Sequence, residues 1–379
     1  MKLKCVYMRG GTSKAVFFHE KDLPRDRALW PEIFLKVMGT PDPKQIDGMG
    51  GAAQITSKIA VIAPARDPSY DIDYTFFQIG VDAPVVDDRV NCGNISCGVG
   101  PFAVDEGLVP AVEPVTVVRV LNTNTGKFIE EHVPVKDGRA MTTGDARITG
   151  VPGTGAGMDV YFEHPGGATT GRLFPTGNVR DTLYPAGYAP IEATLIDCSN
   201  PVTILRAADL GLDGGEITPF QQDQALLRHI EAIRCQAAVR YGFVDRAEDA
   251  TEKSLARPKI AVISPAHDFI GSHGALIPGA EMDICSRVVS VGAFHKTHPI
   301  TSGIALAAAA GIPGTLAADI VRPGWDGRTL RIGQPYGVLP IKIVMDGDTV
   351  RKAGTVRTAR RIMDGYVYIN DETPGVRPS

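Results

Sequence analysis

Two residues stand where proton transfer could be done. Cys92 lies in Asn91-Cys92-Gly93-Asn94, directly before a small-residue segment that runs to Val104. If that segment opens a helix, the unpaired N–H groups of its first turn lower the pKa of a thiol and grip a carboxylate. The other reading is a small residue buried at a tight crossing, a common fate of free cysteine. Lys58 stands between Thr56-Ser57 and the apolar run Ile59-Ala60-Val61-Ile62. There a lysine is partly desolvated and its pKa is drawn toward neutrality, unless its stem simply carries the ammonium back to solvent. Position alone leaves both choices open.

Other motifs carry less. Gly48 to Ala52 and Gly10-Gly11-Thr12-Ser13-Lys14 could each offer backbone N–H groups to an anion, but neither has the order of a P-loop or the spacing of a dinucleotide loop. Cys97 falls inside the expected helix and reads as core. His295 and His298 have HxxH spacing without a third ligand, so they read as surface or cleft-edge histidines rather than a metal site. No Gly-x-Ser-x-Gly elbow appears.

The elements that must hold these residues follow from periodicity. Residues 3–8 and 15–18 are strand-like and flank the loop 9–14. An amphipathic helix is expected over 31–38, strands over 59–62 and 74–81, and a hairpin over 115–121 and 128–135. Residues 150–157 read as linker. The second half adds strands at 193–196, 202–205 and 260–263 and a helix over 221–240. Its segment 304–310, opened by Phe294 to Gly303, is a loop-to-helix entry like the one at Cys92. One such entry per half suggests two pseudo-symmetric lobes with a cleft.

At 379 residues the length also favours two domains. A high glycine and proline content with only 7% aromatics suits short strands and tight turns, so a sheet-rich fold is expected. The net charge of −4 has no basic run behind it, which argues against a nucleic-acid partner. No apolar stretch approaches membrane-spanning length and the start lacks a signal-peptide pattern, so a cytoplasmic protein is expected. Six cysteines without paired spacing argue against a disulfide framework.

Several motifs occur together: Met8-Arg9-Gly10-Gly11-Thr12-Ser13-Lys14, Gln45-Ile46-Asp47-Gly48-Met49-Gly50-Gly51, Thr56-Ser57-Lys58, Asn91-Cys92-Gly93-Asn94, Pro175-Thr176-Gly177-Asn178 and Arg357 to Gly365. In this order, across nearly the whole chain, they resemble the PrpF family. That family includes 2-methylaconitate isomerase, 3-methylitaconate delta-isomerase and 4-oxalomesaconate tautomerase. Asn122 to Lys127, Thr169-Thr170-Gly171 and Arg357 to Tyr368 look most like the methylitaconate branch.

The resemblance implies an α+β, diaminopimelate-epimerase-like fold of two pseudo-symmetric lobes, each a curved sheet around a central helix. Residues 1–185 would form the N-terminal lobe with the Lys/Cys site, 353–379 would pack on it, and 186–352 would close the cleft. It implies Lys58 and Cys92 as catalytic acid and base. Asn91, Gly93 and Asn94 would grip a carboxylate, and Thr12, Ser13, Gln54, Ser57, Asn200, Thr301 and Ser302 would line the substrate site. The implied substrate is a small unsaturated polycarboxylate, with no cofactor or metal, no membrane partner and a homodimer as the expected assembly.

One departure bears on the reaction. Diaminopimelate epimerase needs a second cysteine in the mirrored loop, whereas here that loop reads Pro299-Ile300-Thr301-Ser302-Gly303-Ile304. Two-thiol epimerisation is disfavoured, and an allylic proton shift asks only for a base and an acid near one substrate plane. The alternatives are an amino-acid epimerase or racemase using another second base, and a noncatalytic accessory protein of a dehydratase.

Overall fold

The computed structural model describes residues 1–88, 92–290 and 292–370. The chain divides into two compact units, Met1–Glu163 with Val356–Ser379, and His164–Thr355. Both are α+β. No helix among the described residues is long and apolar enough to cross a membrane.

In the first unit, β1 (Lys2–Gly10) and β2 (Ser13–His19) form a hairpin closed by the pair Gly10 and Ser13. A crossover through α1 (Trp30–Met38) leads to β3 (Lys58–Pro64), which lies parallel to β2 with Val16 opposite Ile59. Then β4 (Ile72–Ile79) runs antiparallel to β3, setting Gln78 opposite Lys58. After β5 (Val86–Asp87) come α2 (Gly93–Ser96) and α3 (Val99–Asp105). The sheet continues with β6 (Val115–Asn122) parallel to β4, β7 (Lys127–Lys136), β8 (Arg139–Ala140) and β9 (Met158–Glu163).

Successive side chains of a strand face opposite sides, and in β2 both sides are buried. Phe18 stacks on Phe34 of α1, while Phe17 packs against Phe102 of α3. The sheet is therefore held between α1 and the α2–α3 pair. The helix expected from 95 to 104 is broken at Cys97-Gly98. A Cβ on Gly98 would lie 2.9 Å from the Phe17 ring, and Pro101 falls in the first turn of α3, where its missing N–H leaves no intrahelical bond unmade.

The second unit begins with β10 (Asp181–Leu183), β11 (Ile191–Cys198) and β12 (Asn200–Arg206). The segment before them is tied to this unit, since Gly167 N–H donates to Asp197 O at 2.7 Å and Gly166 bridges to Cys198. Helices α4 (Thr218–Gln222), α5 (Gln224–Arg240) and α6 (Ala250–Lys253) precede β13 (Lys259–Pro265). One helix was expected over 221–240. Asp223 interrupts it, because its carboxylate accepts the N–H groups of Ala225 and Leu226 and so starts α5 anew.

Next come β14 (Phe269–Ile270), β15 (Leu276–Ile277), β16 (Ile284–Ser290), β17 (Ala293–Phe294), α7 (Ile300–Ala310) and α8 (Leu316–Ile320). The unit closes with β18 (Thr329–Gln334), β19 (Gly337–Asp346) and β20 (Thr349–Arg357), after which β21 (Ala359–Tyr368) returns to pair with β1. Residues Ser302 to Ala310 of α7 are all buried, as suits a helix that is apolar all round. On the other face α5 covers Leu205, Ile260 and Val262 through Ile230, Ile233 and Ala237.

The glycine segment at 48–51 serves largely as a structural closure over the end of α1. Two of its N–H groups and that of the next residue are already used: Met49 and Gly50 donate to Val37 O and Met38 O at the end of α1, and Ala52 donates to Gln45 Oε1 at 3.0 Å. A Cβ on Gly48 would lie 2.2 Å from Gly39 N and 2.3 Å from Met38 C. These are backbone atoms and cannot swing aside. Gly48→Ala should therefore destabilise the chain by about 2 kcal/mol, as overpacking does, and thermal melting should show a lowered Tm.

Candidate active site

Because β2 and β3 are parallel, both start at one end of the sheet, where the β1–β2 turn lies and where β4, running the other way, ends. Lys58 opens β3 at that end. It is buried, and its Nζ donates to Oε1 of Gln78 across the antiparallel pair. It does not reach back to solvent. The orientation of Gln78 follows from its own bonds: Nε2 donates to Gln54 O at 3.0 Å and Ser57 O at 2.9 Å, leaving the oxygen to face the ammonium. The Phe76 ring lies 5.0 Å from Nζ, within cation–π range.

Of the other residues expected here, Gln54 is exposed and uses its carbonyl to hold Gln78. Ser57 is fully buried, and its Oγ accepts from Gln45 Nε2 at 2.7 Å. Gln45 also donates to Thr40 Oγ1 and accepts from Ala52 N–H, so one buried amide ties the glycine segment to the residue before Lys58.

Cys92 caps α2 in extended conformation and is half-buried. Its carbonyl accepts the N–H and Oγ–H of Ser96 at 2.9 and 3.0 Å. Burial pushes up the thiols of Cys5, Cys97, Cys198, Cys235 and Cys285, Cys97 to about 12. Asn94 in the first turn of α2 donates to Thr12 Oγ1 at 3.0 Å, and Ser13 is buried at the start of β2. This contact requires glycine at two positions. A Cβ on Gly10 would lie 2.5 Å from Asn94 O, and one on Gly11, at φ +50°, would lie 2.3 Å from Asn94 Oδ1. Gly93 N–H is in the same turn, and Asn91 lies outside the described residues. The structure thus gathers Thr12, Gly93 and Asn94 beside Cys92.

Asn200, Thr301 and Ser302 belong to the second unit. Asn200 opens β12 after the Ser199 turn at φ +61°, while Thr301 and Ser302 lie in the first turn of α7. His298 is not a surface histidine: it is buried, with Nε2 3.1 Å from Ser286 Oγ and Nδ1 3.1 Å from Pro299 O. Burial pushes its imidazole down to about 3.

Sequence reasoning missed three supporting residues. Gln78 becomes visible only once strand register sets it opposite Lys58. Arg9 donates from one guanidinium nitrogen to Gly11 O and Thr358 O, both at 2.8 Å, and so fixes the β1–β2 turn. Glu131, at an inward position of the alternating strand β7, accepts Gly100 N–H of α3 at 3.0 Å. Several recognised motifs prove to be braces: Asp197 accepts from Thr169 N–H, Thr170 N–H and Thr170 Oγ–H, and Asn124 bonds both backbone groups of Phe76.

Comparison with known proteins identifies the family. The family model described as PrpF protein matches residues 1–370. The chain is 43% identical to 3-methylitaconate isomerase of Eubacterium barkeri, over 97% of each chain. It is 37% identical to 2-methyl-aconitate isomerase of Shewanella oneidensis, again over 97% of each. A crystal structure of methylitaconate-delta-isomerase superposes with a TM-score of 0.93 at 42% identity, covering 97% of this chain and 96% of that one. The fold and sequence define a member of an isomerase class. The chain belongs to the PrpF family.

Burial pushes the Glu131 carboxyl up to about 8. An acid whose folded pKa lies above its unfolded value of about 4.3 contributes stability that is complete below that value and lost as pH rises through about 8. Glu131→Gln removes this titration. Denaturant melts should therefore find the variant gaining on the wild-type chain between pH 4 and pH 9, the assay conditions spanning roughly that window.

Proposed function

We propose that the chain is an allylic isomerase that moves a proton, and with it a C=C bond, within a small unsaturated di- or tricarboxylate of the methylitaconate, methylaconitate, aconitate or oxalomesaconate type. Lys58 and Cys92 are the acid–base pair. The observation behind this assignment is the Lys58 ammonium, withdrawn from water and aimed by a Gln78 amide whose N–H groups are committed elsewhere. The names of the similar proteins supply the substrate class.

One group removes a proton from a carbon next to both a carboxylate and the double bond, giving a dienolate. The other returns a proton at the far end of the allylic unit. Charge on the carboxylate rises in the intermediate, and the N–H groups of the first turn of α2, which have no intrahelical acceptor, are the donors that meet it. Thr12 and Asn94, bonded to each other, brace that turn.

The two units are pseudo-symmetric lobes, each a sheet wrapped on a central helix, α2–α3 in one and α7 in the other. Supporting this, the order of pairings repeats. Parallel β2–β3, antiparallel β3–β4, parallel β4–β6 and antiparallel β6–β7 correspond to β12–β13, β13–β16, β16–β18 and β18–β19. An epimerase of two thiols would need a cysteine at the head of α7, where Pro299 stands.

Proton NMR of the wild-type chain in deuterated water with these acids should show exchange of vinyl and methylene protons; no exchange with any of them would overturn the isomerase reading. Lys58→Ala and Cys92→Ser should each lower kcat by about a hundred- to ten-thousandfold, the range for general acid–base groups, with circular dichroism unchanged. Gln78→Ala should lower kcat by about tenfold or more, since one charge-assisted hydrogen bond is lost.

A further inference from the structure

The strand that begins with Lys58 has a near-copy in the second unit: β3 reads KIAVIAP and β13 reads KIAVISP. Register shows that the likeness is structural. Ile59 pairs with Val16 in parallel and with Phe77 in antiparallel fashion; Ile260 pairs with Thr203 and Val289 in the same two senses. Lys259 therefore occupies in its sheet the position that Lys58 occupies in the other. By the same register Asn200, three residues before Thr203, corresponds to Ser13, three residues before Val16.

The two lysines differ in what holds them. Lys58 has the Gln78 oxygen. Lys259 is half-buried and, among the described residues, makes no hydrogen bond or ion pair. Its charged neighbours are of the wrong kind to satisfy it. Burial lowers its pKa and those of the His295 and His298 imidazoles, and the Lys259 charge adds to the lowering of both. His295 follows β17 and is anchored through its N–H to Val288 O, on the strand beside β13. Its Nδ1 faces Thr297 O, which leaves Nε2 as the outward ring nitrogen. The nearby Arg287 is already satisfied by the carbonyls of Gly215, Glu216, Ser286 and Gly333. The Lys259 Nζ is not among the fully buried unpartnered atoms, so it is open to a ligand, and a partly desolvated ammonium with no protein acceptor gains from a charged one.

We propose that Lys259, flanked by His295, is a carboxylate-binding site of the second unit. The carboxylate class rests on the isomerase reading; the site itself rests on the unpartnered cation. The carboxylate belongs either to the substrate or to a second small acid, and the test separates the two.

Calorimetric titration with propane-1,2,3-tricarboxylate, which has no double bond to move, should show binding to the wild-type chain. In Lys259→Met the Kd should rise about ten- to hundredfold, the effect of losing a charge-assisted hydrogen bond. Lys259→Arg, which keeps the charge, should retain most of the affinity and guards against a Met variant that fails to fold. If KM for the unsaturated acid rises by the same factor in Lys259→Met, the carboxylate is the substrate's own; if only the Kd of the saturated acid rises, it is a separate ligand. Unaltered Kd in a folded Lys259→Met chain, or no binding by the wild-type chain, overturns the site. Absence of turnover by the wild-type chain overturns the isomerase reading and leaves this binding comparison intact.

Discussion

Parallel pairing of two neighbouring strands cannot be made with a tight turn, because the chain must travel back along the sheet before the second strand begins. In the first unit this constraint sends residues 20–57 through α1 and the glycine segment before β3 starts. The two strands then begin at the same edge. That edge collects the β1–β2 turn, Lys58 and the end of β4 with Gln78. In the second unit the crossover between β12 and β13 runs through α4, α5 and α6 and brings the Ser199 turn and Lys259 to one edge in the same way. Everything proposed for either unit depends on this arrangement.

Close approach at that edge is made possible by glycine. Gly10 and Gly11 let the β1–β2 turn press on Asn94, and Gly48 lets the segment before β3 close over the end of α1. The N–H groups of these loops are largely committed to protein acceptors, so their work is to fix the backbone around Lys58 and Cys92 rather than to hold an anion themselves.

The chain treats its buried and half-buried cations in contrasting ways. Arg287 is surrounded by four carbonyl oxygens and is structurally complete, even though burial lowers its pKa to about 10. Lys58 has a single amide oxygen, enough to aim the ammonium while leaving further donors for another partner. Lys259 has no such oxygen among the described residues. A partly or fully desolvated charge that the protein leaves incompletely satisfied is where a ligand gains most, which is why these two lysines rather than the arginine are read as functional.

The strands and helices near Lys58 and Cys92 were legible because alternation at β2 and the helical spacing of Ile33, Phe34, Val37 and Met38 are local properties. Local pattern also exposed the two loop-to-helix entries. It left the glycine segment open as a backbone cradle and placed His298 at the surface or a cleft edge, because what occupies each depends on contacts distant in the chain: Val37 and Met38 in one case, Ser286 in the other. Sequence by itself determined most element types, through periodicity, and the family, through the order of its motifs; the resemblance carried by those motifs is what singled out Lys58 and Cys92 as candidates. Only the tertiary structure decided that Gln78 aims Lys58, that Glu131 is buried beneath α3 and that Lys259 is the counterpart of Lys58. Each of those depends on which residues face one another across strands, and register is set by packing of the whole sheet rather than by any local run.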